Sequence, residues 1–476
     1  MHAAPGRGPT RRDGADHRPR DTPRRPVGGG TVSGGVWTGA AVATVTAGYA
    51  LVSRRLAGTV VTAPMVFTAF GVAIGPMGLD LLSLNHDSGG VLALVEATLA
   101  LVLLTDAMSV RRRDLRTGGF LPGRLLGIGL PLTIGAGWLL AWPLLPGLTA
   151  WELALVGAIL APTDAALGKA AVSSPRVPPL VRSGLKVESG LNDGMVLPFF
   201  VLFLAALPGT TASQEGVAGT FWRALVLSTA LGLAVGGFGG WLLRGARAKD
   251  WITDGWRQVF VLAVAAGSYA LASVTDGSGF IAAWTAGFAF GASLRRGTPA
   301  DTAGDRAAEA ASGTAAEPSA HDDTSQLAER LAEFLASLSF LVFGAVLLGP
   351  TLQHLDWRIV TYAVLSLTLV RMLPVALSLT GSGLAFPTVA YIGWFGPRGL
   401  ASVVFGLLVV EEHVPGVQLL GRVVAVTIAL SVVLHGMSAV VLTDRYDAWH
   451  RKVAAARPLL REGRPEEDDT GASPSG

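Results

Sequence analysis

Cysteine is absent from all 476 residues, and charged residues make up only 15%. The first absence excludes disulfide scaffolds, Cys-ligated zinc, iron–sulfur centres and thiol nucleophiles. The second excludes a string of soluble domains, which carry about 25% charged residues. Two chemical signatures are missing as well: neither the His-Glu-x-x-His pattern of zinc hydrolases nor a Gly-x-Gly-Asp pattern of membrane-embedded aspartyl proteases occurs. What is present is apolar. Half of the residues are hydrophobic, and the mean hydropathy is +0.50. Glycine is abundant, with 61 residues, as expected where helices pack closely in lipid. The composition therefore predicts a bundle of membrane helices, each about 20 residues long. The net charge of +3 says little about partners and gives no sign of nucleic-acid binding.

Residues 1–31 form an Arg-rich tail with no apolar run, which composition predicts to be disordered. Its basic region is too long for that of a cleaved signal peptide, so the first apolar stretch reads as a true span. Thirteen apolar stretches follow, near 35–52, 59–78, 89–110, 121–145, 150–172, 184–207, 218–243, 257–275, 278–294, 328–349, 357–380, 388–411 and 418–442. The expected fold is an all-α polytopic membrane protein of about 13 transmembrane helices. A first six-helix repeat over 35–207 and a second over 257–442 are joined by a linking helix at 218–243. Arg295 to Gln326 contains no Leu, Ile, Val or Phe and is expected as a flexible cytoplasmic loop. Residues 443–476 are expected as a cytoplasmic tail.

Loop charge sets the orientation. Loops after odd-numbered stretches carry 17 Lys and Arg, including Arg54, Arg55, Arg111 to Arg113 and Arg244; those after even-numbered stretches carry 3, namely Arg223, Arg358 and Arg422. The odd loops and the C-terminus are then cytoplasmic and the N-terminus outside. The Arg-rich tail opposes this assignment, and a start codon placed too far upstream would explain it.

Two stretches are interrupted. The fifth reads Ala161-Pro162-Thr163-Asp164-Ala165 and the twelfth Phe395-Gly396-Pro397-Arg398-Gly399. Proline cannot donate a helix bond, and it pushes the residue before it away from helical angles. If the two repeats have opposite topology, these are the fifth helix of each, crossing at the bilayer midplane. Broken helices at matching positions are the strongest sequence pointer to a transport site, because broken backbone at that depth must be buried in protein or line a cavity. Two proline kinks without function are the plainer alternative, but both breaks also carry ionisable residues, which are costly in lipid.

The sixth stretch adds Glu188-Ser189-Gly190-Leu191-Asn192-Asp193. Ser189 and Asp193 are four apart and share one face; Glu188 and Asn192 share the next. Asp193 lies about 13 Å into the stretch at 1.5 Å per residue, near the midplane. Glu188 and Arg398 have opposite charges on different helices, so they are expected to form a structural ion pair. Asp106, five residues before Arg111, also reads as a helix-end acid facing Arg111 to Arg113. His435 reads as a packed histidine rather than a proton relay. Gly232, Gly236 and Gly240 are spaced for close packing within or between chains. Glu96, Lys169, Lys186 and Arg371 receive no role.

At these residues the chain resembles the NhaP-type sodium/proton antiporters, relatives of the animal sodium/hydrogen exchangers. Thr163-Asp164 is similar to that family's Thr-Asp-Pro break, Glu188-Ser189-x-x-Asn192-Asp193 to its Glu-Ser-x-x-Asn-Asp signature, and Gly396-Pro397-Arg398-Gly399 to its Gly-x-Arg-Gly break. One departure is local: proline precedes Thr163, and Ala165 stands where the family usually has it. The resemblance covers about residues 35 to 442. It implies a multi-pass protein of the cell membrane, in contact with lipid and paired as a homodimer. It exchanges a monovalent cation for H⁺ by alternating access, with no cofactor and no catalytic residues. Na⁺ is the expected cation, held by Asp193, Ser189 and Thr163, with K⁺ or Li⁺ as alternatives; Asp164, Asn192 and Asp106 complete the ion-binding set. Asn192 in place of a second aspartate implies electroneutral one-for-one exchange.

The chemistry agrees with that implication. A small hard cation takes oxygen ligands, which carboxylate, hydroxyl and exposed carbonyls at a broken helix supply. The rivals are a K⁺/H⁺ antiporter of the same fold, a channel, a receptor, and a membrane-embedded aspartyl hydrolase built on Asp164 and Asp193. No filter-like sequence supports the channel, and the loops are too short for a receptor's ligand domain.

Overall fold

A computed structural model describes residues 31–56, 59–82, 84–110, 120–164, 167–168, 174–207, 216–296, 322–411 and 416–456. Among these residues there is no strand. The helices are α1 (Thr31–Leu56), α2 (Ala63–Ile74), α3 (Leu84–Ser109), α4 (Phe120–Leu144, with a π turn at Leu125–Gly129), α5 (Ala150–Ile159) and α6 (Pro179–Ala205). They continue with α7 (Val217–Ala248), α8 (Asp254–Val274), α9 (Gly279–Arg295), α10 (Asp322–Phe343, extended by a π turn at Gly344–Leu348 and by Gly349–Leu352) and α11 (Trp357–Ser378, interrupted at Thr368). The last are α12 (Phe386–Trp394), α13 (Leu400–Glu411) and α14 (Val417–Ala456). Among the described residues eight helices are long and apolar enough to cross a membrane, while α2, α5 and most of α13 are apolar but shorter.

The short helices are where the sequence places breaks. A capping box starts α5: Thr149 N–H donates to Glu152 Oε2 at 2.6 Å, and Glu152 N–H donates to Thr149 Oγ1 at 3.4 Å. Pro162 then ends regular structure, and Ala161 to Asp164 are non-helical. Pro387 sits in the first turn of α12, where its missing N–H costs nothing. Pro397 then separates α12 from α13.

The main core brings together α2, α3, α5, α6, α10, α13 and α14, with Phe200 of α6 stacked on Phe405 of α13 at 4.6 Å. The glycine stripe of α7 serves packing inside the chain. A Cβ at Gly232 would lie 2.0 Å from Thr285 Oγ1, and one at Gly236 would lie 2.1 Å from the Ala286 carbonyl, both on α9. Only glycine permits that approach.

Several boundaries differ from the sequence expectation. Helix α6 begins at Pro179, so Asp193 sits at its middle, about 21 Å from its start at 1.5 Å per residue. The segment Arg295 to Gln326, expected as one loop, is helical at both ends: Arg295 closes α9, and Asp322 opens α10. Between them, 297–321 lies outside the described residues, as do 1–30 and Lys169. The expected tail from Thr443 is instead helical to Ala456, with Thr443 and Tyr446 buried, because its early polar residues find partners on α12.

Candidate functional site

The two breaks meet. Asp164 N–H donates to the Pro397 carbonyl at 2.8 Å, so residues more than two hundred positions apart share a main-chain hydrogen bond. Each break also caps the helix of the other. The Asp164 carboxylate accepts from Leu400 N–H, the first residue of α13, at 3.1 Å. Arg398 Nη1 donates to the carbonyls of Ala161 (2.9 Å) and Pro162 (3.3 Å) just past the end of α5, and Ser402 Oγ donates to the Ile159 carbonyl at 2.6 Å. An interrupted helix leaves orphan N–H groups at one end and orphan carbonyls at the other. An anion at an N-terminus and a cation at a C-terminus also suit the helix dipoles. Gly399 makes room: a Cβ there would lie 2.1 Å from Asp164 Oδ2.

Helix α6 lies against this crossing. Ser189 Oγ donates to the Thr163 carbonyl at 2.7 Å. Asn192 Nδ2 donates to Thr163 Oγ1 at 2.5 Å and reaches the Thr163 carbonyl at 3.4 Å. Ser189 and Asn192 are thus both bonded to Thr163, the chain neighbour of Asp164. Asp193, next in line, is buried, and its Oδ1 has no hydrogen-bond partner among the described residues. The acidic groups whose charges bear on it are Asp106 and Asp164. Asp106, half-buried on α3, packs across Gly190, where a Cβ would lie 3.6 Å from its own. Its alternative partners Arg111 to Arg113 lie outside the described residues. Among the described residues no three His, Asp or Glu converge closely enough to hold a metal ion.

The expected Glu188–Arg398 ion pair is not formed. Glu188 is held by Arg371 of α11, with Nη1 at 2.7 Å from Oε1 and Nη2 at 3.0 Å from Oε2. Among the described residues no carboxylate lies within ion-pair distance of Arg398. The reason is local: the orphan carbonyls at the end of α5 engage Arg398. Arg371 instead reaches Glu188 across Gly396, where a Cβ would lie 2.2 Å from Arg371 Nε. Sequence reasoning left Arg371 without a role. The signal was its place between Val370 and Met372, well inside an apolar stretch, where an ionisable residue needs a partner.

Comparison with known proteins agrees with this architecture. The model of the sodium/hydrogen exchanger transmembrane family matches residues 41–445. A K⁺/H⁺ antiporter NhaP of Alkalimonas amylolytica is 24% identical over 397 residues, covering 82% of this chain and 62% of that protein. A K⁺/H⁺ antiporter NhaP2 of Shewanella oneidensis is 25% identical over 384 residues, covering 79% and 61%. Na⁺/H⁺ antiporter 2 of Zygosaccharomyces rouxii is 24% identical over 426 residues, covering 80% and 49%. The chain thus spans between about half and three fifths of the length of these curated relatives. The structure of the sodium proton antiporter MjNhaP1 from Methanocaldococcus jannaschii at pH 8 aligns with a TM-score of 0.69 at 20% identity, covering 87% of this chain and 99% of that one, so the fold is shared. By the match over residues 41–445, the chain belongs to the sodium/hydrogen exchanger family.

Proposed function

We propose that the protein exchanges a monovalent cation for H⁺ across the cell membrane, by alternating access at Asp193. The observation that carries this reading is a buried carboxylate whose Oδ1 has no partner among the described residues, set beside two chain breaks joined to each other through Asp164 and Arg398. Thr163, Ser189 and Asn192 hold one another in place, and the lone pairs of the Ser189 and Thr163 oxygens supply the remaining ligands. Asp164 stabilises the break, and Asp106 tunes the charge around the site. Because Asp193 holds either a proton or a cation, the protein couples the two when the loaded site changes sides. Glu188 and Arg371 hold α6 against α11. A hydrolase would need Asp164 and Asp193 to act on one substrate, whereas Asp164 is engaged by Leu400 N–H.

In this reading the chain forms 13 spans in two inverted six-helix repeats, with the N-terminus outside and the C-terminus cytoplasmic, and works as a homodimer. Exchange is one-for-one, because Asn192 cannot ionise and Glu188 is balanced by Arg371. Na⁺ is the first candidate cation. K⁺ is the second reading, favoured by the names of the curated relatives. Proteoliposomes with an acidic lumen decide between them. Addition of Na⁺, K⁺ or Li⁺ outside should drive proton efflux with the transported ion and not with the others. No efflux with any of the three overturns the antiport reading.

A further inference from the structure

Helix α14 carries polar side chains along one face: Ser431, His435, Ser438, Thr443 and Tyr446. Each of them meets α12 or the break that follows it. Tyr446 OH lies 3.1 Å from Thr388 Oγ1, and Thr443 Oγ1 lies 3.1 Å from Tyr391 OH. Ser438 Oγ accepts from Trp394 Nε1 at 2.9 Å, His435 Nε2 lies 3.0 Å from the Trp394 carbonyl, and Ser431 Oγ accepts from Arg398 N–H at 2.7 Å. The partners run antiparallel, so a hydrogen-bonded seam follows α12 from its first turn to the break. Polar contacts between membrane helices fix which face meets which. Here they tie α12, the break and α14 together.

His435 is the joint of that seam. It is 1% exposed, and its ring packs against the Trp394 indole with centroids 5.3 Å apart. Its Nδ1 lies 3.3 Å from Ser431 Oγ and 3.0 Å from the Ser431 carbonyl. Both ring nitrogens face a carbonyl and a neutral imidazole has one N–H: protonated at Nε2 the ring donates to the Trp394 carbonyl and its Nδ1 can accept from the Ser431 hydroxyl, which itself accepts from Arg398 N–H, whereas protonated at Nδ1 it donates to the Ser431 carbonyl. Trp394 is the last residue of α12, so its carbonyl is one the helix cannot pair itself. The charged groups facing the ring are Arg398 from the break and Arg371 from α11.

We infer that His435 is a positioning residue of the transport site, acting through Trp394 and Ser431 on the broken stretch 395–399. Pro397 of that stretch and Leu400, which directly follows it, hold Asp164 from both sides, through the Pro397 carbonyl and the Leu400 N–H. Thr163 immediately precedes Asp164, and Ser189 and Asn192 are bonded to Thr163. Loss of the imidazole lets the break shift and misplaces oxygens beside Asp193. The inference rests on the antiport reading.

The test is cation-driven proton flux in proteoliposomes of wild type, His435→Gln, His435→Leu and Ser431→Ala, read as half-saturating cation concentration, maximal rate and pH profile. Leucine fills the space without bonding. It should raise the half-saturating concentration about tenfold, as expected for one buried hydrogen bond, with a smaller change in maximal rate. Its pH profile should also shift, because proton and cation compete for one site. Glutamine can keep an N–H on the Trp394 carbonyl and should restore both readouts to near wild type. Ser431→Ala should change both in the direction of leucine, by less. If His435→Leu is not recovered folded, Ser431→Ala decides. Wild-type half-saturation and pH profile in the folded leucine or alanine variants overturn the inference, as does glutamine behaving like leucine. Absence of flux in wild type is a different result: it removes the antiport reading, and this inference with it.

Discussion

Glu188 and Asp193 are both buried on one helix, five residues apart, yet their surroundings treat them in opposite ways. Glu188 has each oxygen on a nitrogen of Arg371. Asp193 keeps one oxygen, Oδ1, with no partner among the described residues. A buried carboxylate with a bidentate guanidinium has its charge and hydrogen bonds met by the protein, so it can hold two helices together but is ill suited to exchange ligands. A buried carboxylate without a partner is costly. It is retained where something other than protein binds it in turn. The sequence already reads Glu188 as half of a structural ion pair and Asp193 as the ion-binding carboxylate; packing changes the cation that holds Glu188 from Arg398 to Arg371.

Asp193→Asn should produce the largest change, because an amide cannot take up and release a proton. Cation-driven flux should vanish while the melting temperature stays near wild type; normal flux in that variant would erase the contrast. Next are Glu188→Ala and Arg371→Ala, each expected to destabilise by about 3–5 kcal/mol, because each leaves a buried charge uncompensated. The double variant should be milder than the sum. The Glu188/Arg398 combination should show weaker coupling than Glu188/Arg371. Equal coupling in the two melting cycles would restore the pair that the sequence suggested.

Asp164→Asn should slow exchange strongly yet destabilise by about 1 kcal/mol, since the amide oxygen can still accept from Leu400 N–H but loses the charge at the start of α13. A melting shift as large as that of Glu188→Ala would make Asp164 structural like Glu188. Clamping the membrane potential with valinomycin and potassium should leave sodium-driven flux unchanged. A potential of 100 mV moves the energy of one net charge by about 2.3 kcal/mol, ample to detect. A clear dependence would mean that Asp106 or Asp164 carries a second proton. Removal of residues 297–321 should have the smallest effect, leaving the rate intact; a lost pH response would make that segment regulatory.

The membrane character and helical class were legible because apolar length and loop charge are local properties of the sequence. The breaks at Pro162 and Pro397 were legible because proline acts on its own backbone. Spacing on α6 set Ser189 and Asn192 on neighbouring faces, and only the resemblance put Thr163 beside Ser189; that both α6 residues bond to Thr163 depends on how α6 packs against the break. Pairing across helices was less legible. Arg371 and Arg398 both offered Glu188 a cation, and the choice depended on which break had carbonyls to satisfy. Of the polar residues of α14 only His435 was singled out in the sequence, and their partners on α12 are set by tertiary packing. The extension of α14 beyond Thr443 has the same cause.

The most direct test of the central claim is proton release from purified protein in weakly buffered detergent when the transported cation is added. If Asp193 holds either a proton or a cation, wild type should release a proton for each cation bound, and Asp193→Asn should release none. Cation binding without proton release in wild type, or undiminished release in Asp193→Asn, would contradict the account.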